Sequence, residues 1–207
     1  MNYKTIDMET FPRRAHFEYF KGLAYPYVGF TVNVDITEFL ARQKRLGLPF
    51  YFALSYCATR AANSVPEFRR RIHGDGIIEY DWCHGSHTVA LLDETYCYCT
   101  LDCRMPFEEY LPRAAEAWER AKAASSIEDG VDADSLLFFS SIPWMSFTSV
   151  IQPTPSPADS NPRITWGKYF RQDDKVLLPL AVLCNHALVD GLHVSQFYSA
   201  LDRELAE

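Results

Sequence analysis

The residues best suited to chemistry lie in one short stretch, where His186 is followed after three residues by Asp190 and Gly191. An imidazole near neutral pH can take a proton from a hydroxyl or thiol and return it later in a reaction. The stretch directly follows a nearly unbroken apolar run over 176–184, which predicts a strand buried on both faces. An isolated histidine near a turn is usually structural, but this spacing after a buried strand makes His186 a candidate general base.

Asp190 could serve such a base in two ways. A general base needs one ring nitrogen held as a donor so that the other is a fixed acceptor, and Asp190 could hold it directly, as in a triad. Alternatively, Asp190 could brace the turn by pairing with a cation elsewhere in the chain. Gly191 lets the backbone fold tightly in either case, so the spacing leaves both interpretations open.

The elements that must position this turn are predicted from hydrophobic periodicity and from capping residues. Thr37 is expected to cap one helix, and Pro106 to open another at a position where its missing N–H costs nothing. The predicted strands cover 27–36, about 77–82, 87–92, 95–102 and 176–184. The predicted helices cover 38–46, 50–64, a stretch that begins at Pro106, and 192–205.

Two segments are predicted to be loops. Residues 122–135 are small, polar and acidic, and residues 152–163 hold four prolines and almost no apolar side chains, which indicates an exposed loop. After the second loop, the apolar residues of the C-terminal helix, Leu192 among them, are expected to pack on a sheet. No internal repeat or linker interrupts the chain, which predicts a single domain over 1–207.

Composition narrows the class of protein. The chain has 207 residues, 48% hydrophobic and 14% aromatic, which is enough for a sizeable globular core. The net charge of −7 argues against nucleic acid or an anionic membrane as the main partner. The chain has no apolar run of about 18 residues and no apolar signal-peptide core near its start, so a cytoplasmic location is expected.

Cysteines and histidines raise the question of a metal site. Cys97 and Cys99 would lie on one face of a strand, which is poor geometry for a zinc knuckle, and the six cysteines are expected to be buried free thiols. His84 and His87 lack a carboxylate or thiol partner at a convincing spacing. We therefore predict no metal site.

Several stretches resemble the chloramphenicol acetyltransferase family. Asn185 to Gly191 is similar to its HHxxxDG signature, which also occurs in condensation domains and, in related form, in the acyltransferase cores of 2-oxo acid dehydrogenase complexes. The segments 13–19, 140–147 and 165–169 resemble further family motifs and follow in the family's order. Condensation domains are much longer, and dehydrogenase cores normally carry lipoyl domains and linkers. The chain is therefore identified as a member of the chloramphenicol acetyltransferase family.

The resemblance implies a fold and an assembly. The expected fold is α/β, a two-layer sandwich in which helices cover a mixed β-sheet, as in CoA-dependent acyltransferases. The expected protein is a homotrimeric acetyltransferase with each active site between two subunits. Acetyl-CoA is implied as a co-substrate, with no permanently bound cofactor, no metal and no acyl-enzyme.

The resemblance also implies roles for individual residues. His186 would be the general base, with its tautomer held by its own backbone carbonyl, and Ser140 would donate to the oxyanion. Arg13 would form a buried ion pair with Asp190, whose disruption would cost about 3–5 kcal/mol. Thr165 would hold a water near the reacting carbonyl. The residues expected on the coenzyme A side are Lys168, Tyr169 and Tyr51.

Departures from the family pattern concern the acceptor. Asn185 replaces the first histidine of the signature, Leu183 and Phe20 replace a common glutamine and tyrosine, and the loop 152–163 replaces much of an aromatic wall. Three hypotheses therefore remain: acetylation of chloramphenicol, with antibiotic resistance as the outcome; the same transfer to another small hydroxyl or amine acceptor; or a non-catalytic relative that binds a ligand. A polar pocket would favour the second hypothesis, and a His186 ring that points away from any channel would favour the third.

Overall fold

The computed structural model describes residues 1–128 and 132–207. The five helices in these ranges are α1 Arg14–Lys21, α2 Thr37–Leu46, α3 Phe50–Asn63, α4 Phe107–Ala124 and α5 Gly191–Ala206. The ten strands are β1 Tyr3–Ile6, β2 Tyr27–Asp35, β3 Arg70–His73, β4 Gly76–Tyr80, β5 His84–Ala90, β6 Tyr96–Leu101, β7 Leu136–Ile142, β8 Arg163–Gly167, β9 Phe170–Gln172 and β10 Lys175–Asn185. None of the helices in the described ranges has both the length and the apolar character needed to cross a membrane.

The strands form one large mixed sheet and one small sheet. The large sheet has the order β2-β10-β8-β7-β5-β6, with β9 paired to β10, and its β5–β7 and β7–β8 pairs are parallel. The small sheet is antiparallel, in the order β1-β4-β3. The predicted α/β architecture with a mixed sheet and packed helices is confirmed, and the small sheet is an addition to it.

Alternation along the central strands separates a core face from a second face. Ile164 and Trp166 of β8 lie in the main core, as do Leu137 and Phe139 of β7, together with side chains of α3 and α5. Because successive strand residues point to opposite faces, the residues between them, such as Thr165, point away from this core. The helices thus support the sheet from one side and leave the other face for a site.

The strand that carries the candidate base is confirmed as a buried strand. β10 pairs along its length with β2 and, over Leu180–Leu183, with β8. Nearly all of its side chains are buried, because it lies between neighbours in the sheet and under helices on the core face. Such a strand fixes the position of whatever follows it, here the turn at Asn185.

The structure corrects several predicted boundaries. Helix α2 begins at Thr37 rather than after it, and the Thr37 hydroxyl donates to Asp35 and accepts from the Val176 backbone N–H. Helix α4 continues to Ala124, since its last alanines favour helix, so the predicted loop over 122–135 begins later. Residues 129–131 of that loop lie outside the described residues, and a short helical turn follows over Ala133–Ser135.

Two burial predictions were also wrong. Leu192, expected on the packed face of the C-terminal helix, is 65% exposed at the start of α5. The proline-containing segment 152–163 is exposed only in its first part, because Ser160 and Asn161 at its end are buried under the small sheet and the Ala133–Ser135 turn. The second half of this segment is therefore part of the folded core.

Candidate active site

The turn after β10 holds the His186 ring in one orientation. The His186 backbone N–H donates to the Pro26 carbonyl at 2.7 Å, and its Nδ1 lies 2.8 Å from the Val189 carbonyl. A carbonyl can only accept, so Nδ1 carries the proton and Nε2 is left as an acceptor. The Phe20 ring packs against the imidazole, with ring centroids 3.9 Å apart. This is the tautomer that a general base needs. The carbonyl that fixes it belongs to Val189, whereas the resemblance implied the carbonyl of His186 itself.

Asp190 braces the turn rather than the imidazole. Its carboxylate pairs with Arg13 and accepts from the Leu192 N–H at 3.0 Å, which caps helix α5. The Asp190 N–H in turn donates to Nδ1 of His193 at 3.1 Å. Of the two interpretations left open by the spacing, the pairing with a distant cation is therefore correct.

The Arg13–Asp190 pair is partly buried, where the resemblance implied a buried one. The two side chains are 20% and 29% exposed. Burial alone would raise the pKa of Asp190, but the neighbouring His193 and Arg13 side chains, with the hydrogen bonds from Arg13 and Leu192, lower that pKa below its ordinary value. The carboxylate is thus held ionised beside the turn at neutral pH.

Ser140 and Thr165 lie side by side on the second face of the large sheet. They are register partners in the parallel β7–β8 pair, and the Ser140 Oγ accepts from the Thr88 hydroxyl at 3.2 Å. Thr165 Oγ1 is buried and has no hydrogen-bond partner among the residues that the structure describes. A buried hydroxyl without a partner is unfavourable unless a water or ligand satisfies it.

Both hydroxyls face a cavity of about 670 Å³. Its lining combines aromatic and aliphatic side chains with hydroxyls, a carboxylate and a guanidinium. The polar side chains that line it include Ser86, Thr88, Glu94, Thr95, Tyr96, Tyr98, Ser140, Gln152, Arg163 and Thr165. A cavity of this size matches a small-molecule site.

His186 does not reach this cavity within one chain. Ala181 of β10 is the register partner of Thr165, and His186 follows it by 186 − 181 = 5 residues. Because a strand advances about 3.3 Å per residue, the two positions are roughly 16 Å apart along β10. Accordingly, His186 is not among the residues that line the cavity. One chain therefore presents the candidate base and the candidate oxyanion donor at two separate places.

The residues expected on the coenzyme A side differ in their surroundings. Lys168 and Tyr169 are exposed just beyond β8, and the Lys168 N–H donates to the Met145 carbonyl at 2.9 Å. Tyr51 is enclosed by the Trp118 and Trp166 rings, and its hydroxyl lies 3.1 Å from His87 Nδ1. Burial raises the pKa of Tyr51 well above its ordinary value. The Tyr51 hydroxyl therefore stays protonated and engaged within the chain.

Sequence reasoning missed an ion pair at the edge of the site. Asp159 and Arg163 form a bidentate pair with distances of 2.8 and 2.7 Å, and Arg163 lines the cavity. A spacing of four residues indicates contact only on a helix, and this segment is predicted to be an exposed loop, so the sequence held no usable signal for the pair. The pair shows that this part of the segment contributes a wall of the site.

The cysteines and histidines show no metal centre in the described part of the chain. All six cysteines are buried and unpaired, and burial raises the pKa of each thiol, for example to about 12 in Cys57. Within residues 1–128 and 132–207, no group of three or more potential ligands lies close enough together to hold a metal ion. His87 is fully buried, and burial lowers its pKa to about 3.

Known proteins resemble the chain over nearly its whole length. The family model described as chloramphenicol acetyltransferase matches residues 1–202. Chloramphenicol acetyltransferases from Klebsiella sp and Clostridium perfringens are 30% and 32% identical, over 97% and 96% of this chain and 93% of theirs. A solved structure of a chloramphenicol acetyltransferase superposes with a TM-score of 0.85 at 23% identity, covering 99% of this chain and all of its own.

Proposed function

Because the chain belongs to the chloramphenicol acetyltransferase family, we propose that residues 1–207 form one catalytic domain that transfers an acetyl group from acetyl-CoA to a hydroxyl of a small acceptor. The chain is an acyltransferase of the chloramphenicol O-acetyltransferase type. The observation that carries the proposed mechanism is the His186 ring, whose Nδ1 is bonded to the Val189 carbonyl and whose Nε2 is left as an acceptor.

The proposed reaction begins with proton transfer from the acceptor hydroxyl to Nε2 of His186. The resulting alkoxide attacks the thioester carbonyl, and the Ser140 hydroxyl donates a hydrogen bond to the oxyanion that forms. The tetrahedral intermediate then collapses with loss of the coenzyme A thiolate, which takes the proton back from His186. Thr165 would hold a water beside the same carbonyl, which fits its unpartnered hydroxyl.

The separation of roughly 16 Å along β10 between His186 and Thr165 supports a site built from two copies of the chain. We propose that His186 of one subunit meets the cavity of another in a homotrimer. The turn from Asn185 to Asp190, which carries His186, is called the base turn. Apolar side chains near it support such a contact, because Tyr25, Phe30 and Leu192 are 54%, 41% and 65% exposed. In this arrangement the His186 ring need not face a channel in its own chain. Its distance from the cavity of that chain therefore does not favour the hypothesis of a non-catalytic relative.

The proposed path of acetyl-CoA runs past Lys168 and Tyr169. These side chains are exposed just beyond β8, three and four residues after Thr165. A lysine there offers a charge to the phosphates of coenzyme A. Tyr51 would act on this side through packing, because its hydroxyl already meets His87. Buried unpaired thiols support a reducing, cytoplasmic location.

Chloramphenicol is the first candidate acceptor, and its acetylation would give antibiotic resistance. A second candidate is a more polar hydroxylated molecule. The wall around Ser140 supports it, because the hydroxyls of Ser86 and Thr88 and the guanidinium of Arg163 line the cavity. Such groups favour an acceptor that can form hydrogen bonds over an apolar ring.

Mixed assemblies of two inactive variants test the shared site. His186→Ala and Ser140→Ala chains, each expected to lose activity, are co-expressed in equal amounts with different tags, and thiol release from acetyl-CoA is measured with chloramphenicol. If each site takes its base from one chain and its donor from another, random assembly restores both in 1/2 × 1/2, or about a quarter, of the sites. Recovery of about a quarter of wild-type activity is expected, whereas no recovery would mean that both groups act within one chain.

The wild-type protein provides the reference for this test. Thiol release that depends on chloramphenicol would support the first acceptor, and release only with other hydroxylated molecules would support the second. Failure to bind acetyl-CoA at all would overturn the proposed function.

A further inference from the structure

Asn185 is bonded on both sides of its amide at the start of the base turn. It is 2% exposed, its Nδ2 donates to the Asp159 carbonyl at 2.9 Å, and its Oδ1 accepts from the Ala187 N–H at 3.1 Å. Its own carbonyl accepts from the Val189 N–H at 3.0 Å. Val189 is the residue whose carbonyl fixes the His186 ring. The conformation that orients the base is therefore set from Asn185.

Asp159 connects this amide to the wall of the cavity. Its carboxylate takes the bidentate bonds from Arg163 and a bond from the Tyr27 hydroxyl at 2.9 Å. Arg163 is only 7% exposed, and its guanidinium lies 5.4 Å from the centroid of the Phe138 ring, which also lines the cavity. A continuous series of bonds thus runs from the base turn to the cavity wall.

We propose that Asn185 is a positioning residue for His186, acting through the Asp159 carbonyl on one side and the Ala187–Val189 backbone on the other. The inference rests on the proposed function, in which His186 is the base. An amide suits this position because it donates and accepts at once, whereas an aliphatic side chain of similar size does neither. Without it, the Asp159 carbonyl keeps only the longer bond from the Tyr27 hydroxyl at 3.2 Å, and the turn loses its anchor.

Asn63 provides a matched control within the same chain. It is 7% exposed, its Nδ2 donates to the Thr59 and Cys83 carbonyls, and its Oδ1 accepts from the Cys83 N–H. This is the same two-sided use of a buried amide, but it joins α3 to the start of β5, away from the base turn. Asn185→Leu and Asn63→Leu therefore each remove the side-chain bonds of a buried amide, two at Asn185 and three at Asn63.

The test compares both variants with the wild-type protein in steady-state kinetics and thermal unfolding. Asn185→Leu is expected to lower kcat about tenfold or more with KM for acetyl-CoA changed by less than about twofold. Asn63→Leu is expected to lower the melting temperature comparably while the folded protein keeps kcat near the wild-type value. Equal losses of kcat in both variants, or none in Asn185→Leu, would overturn the proposal.

Two further measurements guard against misfolding and against an error in the proposed function. Asn185→His restores an N–H donor toward Asp159 and is expected to recover kcat. If Asn185→Leu does not fold, Asn185→Ser takes its place, because it removes the same bond with less steric change. Nitrogen NMR of the imidazole reports the Nδ1–H tautomer of His186 without turnover. The tautomer should dominate in the wild type and become mixed in the Asn185 variant, and an unchanged spectrum would contradict the inference even if no acceptor is turned over.

Discussion

The base turn and the cavity wall use hydrogen bonds in opposite ways. In the turn, Asn185, the Nδ1 of His186 and the carboxylate of Asp190 all have partners within the chain. In the wall, the Thr165 hydroxyl is buried with no partner among the described residues, and Ser140 accepts a bond from Thr88. These three groups of the turn are satisfied by the chain itself, whereas the wall has hydrogen-bonding capacity left for a ligand.

The difference matches what each region would have to do in the proposed reaction. A base must be oriented before the acceptor arrives, so its partners belong to the protein. A donor to an oxyanion is most useful when its bond is made only in the transition state, so its hydroxyl should not be consumed by the chain. The predictions below break or sharpen this contrast.

The largest expected effect comes from removing the donor in the wall. Ser140→Ala should lower kcat by roughly 10²- to 10³-fold, because one lost oxyanion donor typically has that effect. Ser141→Ala is the comparison variant: Ser141 also borders the cavity, but strand alternation directs its side chain to the opposite face from that of Ser140, so its loss of kcat should be much smaller. Steady-state thiol release measures both; similar losses in the two variants would contradict the assignment of Ser140.

A smaller effect should separate activity from stability at Thr165. Thr165→Val removes a buried hydroxyl that has no partner in the chain, so the free energy of unfolding should stay equal or rise by up to about 1–2 kcal/mol. The kcat should nevertheless fall, by about tenfold, while Thr165→Ser should keep most of it. Denaturant unfolding and turnover are measured together, and a clear loss of stability in Thr165→Val would mean that the hydroxyl supports the fold instead.

The smallest expected effect is on stability in acid, where groups of the two regions lose their contributions over different pH ranges. Burial lowers the pKa of His87, behind the wall, from 6.5 to about 3, so the unfolded chain binds a proton there between these values and stability falls as pH drops through that window. The pKa of Asp190 is below 3.8, so its contribution, present above that value, is lost only in stronger acid.

His87→Gln tests this order. Between pH 6 and 4, the free energy of unfolding should fall less steeply in the variant than in the wild type, by about 1.4 kcal/mol per pH unit. This is the slope that corresponds to one proton. Urea unfolding at several pH values measures this difference. Parallel curves for the two proteins would show that His87 does not take part in acid destabilisation.

The sequence predicted the base turn better than the cavity wall. The base turn and its pairing with Arg13 could be predicted because His186 and Asp190 are close in the chain and Arg13 lies in a recognisable segment. The separation of His186 from Ser140 was implied only by the resemblance, as a site between two subunits, because it depends on the β10–β8 and β7–β8 registers, which the residues themselves do not give.

Two further features were hidden by local composition. The prolines of 152–163 indicated exposure and concealed the partly buried pair of Asp159 and Arg163, in which Asp159 also bonds to Tyr27 of β2 and Asn185 of β10. The carbonyl that fixes His186 depends on the conformation of the turn, which the spacing of its residues does not determine.

The distance between base and cavity along β10 has a consequence for how such a protein can diverge. Substitutions in β5 to β8 can reshape the cavity without touching the turn that carries the proposed base. The bonds from Arg163 through Asp159 to Asn185 are a route by which a change in the wall would disturb that turn. If these bonds are kept, substitutions in the cavity can change which acceptor binds while the proton-transfer step that we propose stays the same.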